Sequence, residues 1–167
     1  MMNKRKTMLI VLACCLFAAA GITAIVLTLK TPVIEVSSSS TPYGENGYFA
    51  ISAHGFESII GTDFTVKFDN KALKIKEIAN GKVFDSVSVS DEEYANNNGV
   101  IEVVYLDYTG GDKPINLDGD LIYVRYEVIK PQDIELEMDA VKVVNDKMEY
   151  VDTFTVRNGK IKTDAVH

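Results

Sequence analysis

The chain has 167 residues, of which 47% are hydrophobic and 25% charged, the composition of a folded protein rather than a disordered one. Its charge is unevenly spread: residues 1–30 hold four of the 17 basic residues and none of the 24 acidic ones, which leaves 13 against 24, near −11, for the body. So acidic a body speaks against nucleic-acid binding, which needs a basic footprint, and against adhesion to an anionic membrane surface.

The N-terminus opens on Lys4-Arg5-Lys6, followed by Met8 to Leu29, an uncharged apolar run of 22 residues, and then Lys30. A secretory signal carries an apolar region of about 7–15 residues, whereas a spanning helix needs about 20. The run therefore predicts an N-terminal hydrophobic helix that anchors the chain in the membrane, with the positive cluster inside. Ala18-Ala19-Ala20 offers signal cleavage as the alternative, and Val11-Leu12-Ala13-Cys14 a weak lipid-attachment box. Each reading exports the body to the cell surface or beyond. Residues 1–30 are thus a signal peptide or transmembrane anchor, 31–163 one β domain, and 164–167 a tail. Cys14 and Cys15 are the only cysteines, so the body has no disulfide framework and no thiol nucleophile. His54 and His167 are the only histidines, which leaves a His-based metal cluster or a Ser-His-Asp triad poorly supported.

Along the body, Val33 to Val36 reads as a first short strand and Ser37 to Gly47 as a loop. Tyr48 to Ala53 and Thr62 to Phe68 read as separate strands, the second with Phe64, Val66 and Phe68 on one face and Asp63, Thr65 and Lys67 on the other. Asp69-Asn70-Lys71 makes a turn, and Leu73 and Ile75 begin the apolar side of the next strand. Val83 to Val89 alternates as a strand, Asp91-Glu92-Glu93 reads as a solvated loop, and Asn96-Asn97-Asn98-Gly99 as a turn. Val100 to Tyr108 is a strand leading to a Gly110-Gly111 loop. Asp118-Gly119 then reads as a hairpin turn, because Gly accepts the positive φ a tight turn needs. In the strand that follows, Ile122, Val124, Tyr126 and Val128 face one side and Tyr123, Arg125 and Glu127 the other. Beyond Pro131, the residues Ile134, Leu136, Met138, Val141 and Val143 give another strand. Val151 to Val156 and Gly159 to Lys162 close the domain, with Asn158-Gly159 as a hairpin. No stretch has the period of a three-turn amphipathic helix. About nine short strands at this spacing predict an all-β, jelly-roll β-sandwich.

The chemistry-bearing residues point away from catalysis. Asp107, Asp112, Asp118 and Asp120 cluster in sequence but lack the spacing and terminal Glu of a calcium loop. Gly110-Gly111 is no phosphate loop, since no helix follows and the Lys-Ser/Thr pair is absent. Asp63 with Asp107 as a glycosidase carboxylate pair has no support beyond residue type. Tyr105, Tyr108, Tyr123 and Tyr126 suggest sugar-stacking platforms, although the chain has no Trp and Tyr126 falls on a core face. A flat sheet face with Asp63 and Asp107 around Val104 would make a charged rim on an apolar centre, as interfaces often show.

Three stretches, FTVKFDNKALKI (Phe64 to Ile75), YLDYTGGDKPINLDGDLIYVRYEV (Tyr105 to Val128) and VVNDKMEYVDTFTVRNGKI (Val143 to Ile161), resemble a cohesin domain in order and register. Phe68 stands where the family usually has Tyr, and Lys71 where Pro is frequent. The resemblance implies a nine-stranded jelly roll that binds dockerin modules borne by polysaccharide-degrading enzymes, as in cellulosome assembly, with no catalytic role. Calcium would belong to the dockerin, and this chain would need no cofactor or metal of its own. Matching the motifs implies partner-binding positions at Asp63, Val104, Asp107, Thr109 and Gly110, with Tyr94 and Lys147 aligning less closely. Gly61 stands where one class of the family has a contact asparagine. A carbohydrate-binding module of related jelly-roll fold, touching polysaccharide directly, is the alternative.

Overall fold

Strict alternation along Ile122 to Val128 requires two environments, one on each side of a sheet, and the computed structural model supplies them. Ile122, Val124, Tyr126 and Val128 are fully buried, while Tyr123, Arg125 and Glu127 face outward. The structure describes residues 31–163, so the predicted N-terminal helix and the tail lie outside the described residues. Among the described residues no helix is long and apolar enough to cross a membrane.

The elements are β1 (Val33–Val36), β2 (Ser39–Ser40), β3 (Asn46–Lys67), β4 (Leu73–Asn80), β5 (Ser88–Val89), α1 (Glu92–Asn98), β6 (Val100–Leu106), β7 (Ile115–Val128), β8 (Ile134–Asn145), β9 (Thr155–Arg157) and β10 (Gly159–Lys162). Everything hangs on β3. Its first part pairs with β1 on one side and β7 on the other, so one sheet runs β9-β1-β3-β7-β4. Its last part, Gly61 to Lys67, pairs with β6 and β8, so the second sheet runs β5-β6-β3-β8-β10-β2. Between the halves, register shifts at Ala53/Phe56 and Phe56/Ile59 bend the strand from one sheet into the other. Gly55 at φ 77° and Ser58 at φ 55° supply the left-handed backbone of that bend.

The sandwich core is filled from both inner faces. Phe49, Ile51 and Ala53 come from the first sheet, and Phe64, Val66, Ile101, Val103 and Leu136 from the second, all at most 2% exposed. Each such large side chain contributes about 1.5–3 kcal/mol by leaving water. Tyr126 sits in this core because its hydroxyl is shared with Ser39 Oγ at 2.7 Å and Thr41 Oγ1 at 2.8 Å.

Several sequence expectations are corrected. Strands Tyr48–Ala53 and Thr62–Phe68 are one bent strand, and the assigned strands number ten among the described residues rather than nine. Only Ser88–Val89 of the Val83–Val89 stretch pairs as strand, because Phe84 instead turns inward and stacks on Tyr105 at 4.8 Å between centroids. Asp118-Gly119 is not a hairpin: β7 runs straight through it, and Gly119, at φ 138°, pairs with Ala53 in an irregular stretch. Nor is Asn158-Gly159 a hairpin. There the chain leaves β9, parallel to β1, and enters β10, antiparallel to β8 in the other sheet. A Cβ on Gly159 would stand 2.7 Å from the Ser37 carbonyl, which excludes a side chain.

The largest omission is helix α1, which occupies the predicted loop and asparagine turn. Asp91 caps it by accepting from the Tyr94 amide at 2.7 Å, Glu92 and Glu93 sit at its positive end, and Gly99 closes it in left-handed conformation, at φ 68°. Its seven residues are too few to set a period. The helix also guards the free edge of β4. The Asn96 side chain accepts from Ile75 N at 2.7 Å and donates to Ile75 O at 2.9 Å, and Glu92 accepts from Ile78 N at 3.2 Å.

Candidate functional site

Outward positions on the second sheet bring together two of the seven predicted site residues, Asp63 and Val104, as cross-strand neighbours. In the β6–β3–β8 ladder Gly61 lies between Leu106 and Val144, Asp63 between Val104 and Lys142, and Thr65 between Glu102 and Asp139. Because the inward phase of β6 is taken by Ile101, Val103 and Tyr105, the strand must turn Val104 and Leu106 to solvent, 38% and 54% exposed. An isolated bridge to Val144 then brings Tyr150 to the same face, 65% exposed. The centre of this cluster is Gly61, where a Cβ would stand 3.4 Å from Leu106 and 3.9 Å from Val144. The missing side chain leaves a shallow depression of about 260 Å³, floored by Gly61 and Thr62 and walled by Val104, Leu106, Val144 and Tyr150. Asp63 and Lys142 form its polar edge, paired at 3.4 Å.

Asp107, Thr109 and Gly110 follow at one end of β6. The backbone N–H of Asp107 donates to the Ile60 carbonyl at 2.7 Å, which ties the loop to the β3 bend. Its carboxylate accepts from the Thr109 hydroxyl at 2.7 Å, the Thr109 amide at 2.9 Å and the Gly111 amide at 3.0 Å. The Thr109 hydroxyl, then its amide, hold this carboxyl below the usual carboxylate range. The expected free rim charge is therefore turned back onto its own loop, and its geometric effect is to present Thr109 and Gly110. Gly110, at φ 77°, has open space where a side chain would stand.

The two remaining predicted residues lie at opposite ends of the face. Lys147 sits in the turn after β8, in a loop held by Asn145, whose side chain accepts from the Lys147 and Glu149 amides at 3.0 Å. Tyr94, on α1, donates its hydroxyl to Glu102 at 2.8 Å, and that bond raises its pKa. Sequence reading missed Leu106, Lys142, Val144 and Tyr150 as members of the face. For Leu106 the signal was present: two apolar residues, Val104 and Leu106, stand on the outward phase of a strand whose inward phase is already apolar.

The competing chemistries do not assemble. Tyr105 and Tyr126 are buried, and the Tyr123 hydroxyl donates to Asp120, so the four tyrosines make no common sugar platform. His54 stands 2.9 Å from Asp118 on the other sheet. Among the described residues no group of three or more His, Cys, Asp or Glu side chains is placed to hold a metal ion.

A family profile described as the cohesin domain matches residues 32–163. Among solved structures, a non-cellulosomal cohesin from the hyperthermophilic archaeon Archaeoglobus fulgidus superposes with a TM-score of 0.66 at 17% identity, over 81% of this chain and 92% of its own. A chain of the Coh-OlpA–Doc918 complex of Clostridium thermocellum, a type I cohesin–dockerin complex, gives a TM-score of 0.70 at 22% identity, over 81% and 100%. CaCohA2 from Clostridium acetobutylicum gives a TM-score of 0.63 at 19% identity, over 80% and 91%. At these identities the likeness to the solved structures is one of fold. The comparison with curated proteins found no match.

Proposed function

Since the chain belongs to the cohesin domain family, we propose that it is a non-catalytic, cell-surface module that captures dockerin-bearing proteins, polysaccharide-degrading enzymes among them. The observation that carries this reading is the apolar cluster of exposed Val104, Leu106 and Tyr150 and half-buried Val144 around Gly61, edged by Asp63 and Lys142. An apolar centre inside a polar rim is the anatomy of a protein interface, and a cluster of this kind differs from the single exposed apolar residues of any surface. The Asp107 loop and the Lys147 turn bound the same end of the face, where they would fix the orientation of a docked helix. The partner side of this reading draws on the complex of Clostridium thermocellum, which pairs a cohesin with a dockerin. Calcium would reside on the dockerin, and the apolar run Met8 to Leu29 would hold the module at the membrane.

Capture by the full chain tests this. Immobilised protein is expected to retain purified calcium-loaded dockerin modules and to release them on chelation. Retention on cellulose or xylan with no dockerin bound would replace the reading by the carbohydrate-binding one. The mass of the mature protein separates the anchored chain from one cleaved near Ala20.

A further inference from the structure

We infer that the Gly61 depression is a specificity pocket for one bulky apolar side chain of the partner, of Leu, Ile, Met or Phe type, and that it rejects a hydroxyl-bearing residue in the same place. The inference rests on the dockerin reading and adds the chemistry of the contact. Its basis is what the depression has already satisfied. Thr62, on the floor, donates its hydroxyl to the Lys142 carbonyl at 3.1 Å. The Lys142 ammonium is engaged by Asp63. The backbone of β3 at Gly61 to Asp63 is laddered on both sides, to β6 and to β8. Gly61 itself carries no side-chain donor or acceptor. What remains open over Gly61 is mostly hydrocarbon, from Val104, Leu106, Val144 and the Tyr150 ring, with the Tyr150 hydroxyl and the Asp63–Lys142 pair confined to the edge.

A serine or threonine seated over Gly61, between Leu106 and Val144, would exchange water for hydrocarbon contact. Only at the Asp63–Lys142 edge or the Tyr150 hydroxyl would it meet a hydrogen-bond partner, so it gains less than an apolar side chain in the same place. A branched or aromatic apolar side chain would instead bury itself and the exposed faces of Leu106 and Val104 together. Such a filled, desolvated centre is where interface energy concentrates. Charge narrows the occupant further. The body carries a net charge near −11, and the Asp63–Lys142 pair at the edge is exposed on both sides, so it can exchange for a partner cation at little cost. The fitting partner element is thus a helix with one large apolar residue flanked by Lys or Arg.

The test uses two probes on the full chain and its Gly61→Leu variant, which fills the space. Gly61 has no positive φ and pairs in register with β6, with a register shift only on the β8 side before it, so the substitution does not strain the backbone. The first probe is 3-methylbutan-1-ol, followed by methyl NMR, with acetamide as the polar control. Saturable shifts confined to Val104, Leu106 and Val144, absent with acetamide and absent in Gly61→Leu, are expected. The second is a set of calcium-loaded dockerin modules differing only in a Leu or a Ser at successive exposed helix positions. At one position the Leu form is expected to bind at least about tenfold tighter than the Ser form, and Gly61→Leu to erase that difference. Equal or tighter binding of the Ser forms at every position overturns the pocket and leaves dockerin capture standing. Failure of every dockerin, with the alcohol shifts still confined to the three residues, overturns the dockerin reading and leaves the apolar pocket standing.

Discussion

The two outer faces of this sandwich are built from the same alternating strands and end in opposite states. On the first sheet the outward positions are matched in charge across strands: Lys76 with Glu127 at 2.9 Å, Arg125 with Glu77 at 3.0 Å, and Arg157 with Glu35 at 3.2 Å. Asp120 accepts from both Ser52 and Tyr123, and the β4 edge is sealed by Asn96 and Glu92. On the second sheet the corresponding positions hold Val104, Leu106 and Val144 around a glycine. The second sheet also carries outward ion pairs, Lys67 with Asp139 and Lys142 with Asp63 among them, but it leaves Val104 and Leu106 exposed beside them. Exposed ion pairs add little stability, about 0–1 kcal/mol each, so the difference between the faces concerns association more than folding.

The comparison breaks most completely if the shared strand is damaged. Phe64→Ala empties a fully buried position of β3 and is expected to cost about 3–5 kcal/mol in urea unfolding, with both faces lost in one transition. Two separate transitions would mean that the sheets fold independently. Next in size, Leu106→Asp is expected to weaken dockerin capture by about 2 kcal/mol or more. Arg125→Glu, on the first face, should change it by less than about 0.5 kcal/mol; calorimetric titration reads both, and equal losses would remove the distinction between the faces. Asn96→Ala strips two hydrogen bonds from the β4 edge and should destabilise the fold by about 1–3 kcal/mol. Capture should stay intact, since that edge belongs to the first sheet.

The smallest effect sharpens the picture at the loop. The folded pKa of Asp107 is depressed by hydrogen bonds to its charged form. Its contribution to loop order is therefore fully present above the unfolded pKa and lost as pH falls through the folded one. The Thr109 and Gly111 amide resonances should titrate with a midpoint below that of an unperturbed aspartate, about 3.9, and Asp107→Asn should abolish that titration. A midpoint at or above the ordinary aspartate value, about 3.9, would show that the carboxylate is not held by its loop.

Much of the candidate site was legible because it depends on strand phase, and strand phase is local. Asp63 and Val104 were placed on one face by alternation and motif, and they are direct cross-strand neighbours. Asp107, read as part of a strand Val100–Tyr108, instead opens the loop after Leu106 together with Thr109 and Gly110, and the direction of its carboxylate depends on where the next residues fold back. Tyr150 was out of reach, since its place on the face comes from a single bridge to Val144. Glycine was the commonest source of error. Asp118-Gly119 and Asn158-Gly159 carry the signature of tight turns, yet a positive φ serves an irregular strand as well as a turn, and a missing Cβ serves close packing as well as either.

The sequence alone therefore determined the all-β class, the inward and outward assignment of β7, the apolar side of β8, and the family. Each of these rests on residue period or motif order, which neighbouring residues set between themselves. The tertiary structure decided that β3 bends to serve both sheets, that β9 and β10 separate rather than pair, and that Leu106, Val144 and Tyr150 meet over Gly61. Those outcomes depend on which distant strands share hydrogen bonds, and strand pairing leaves no mark on the local period of either partner.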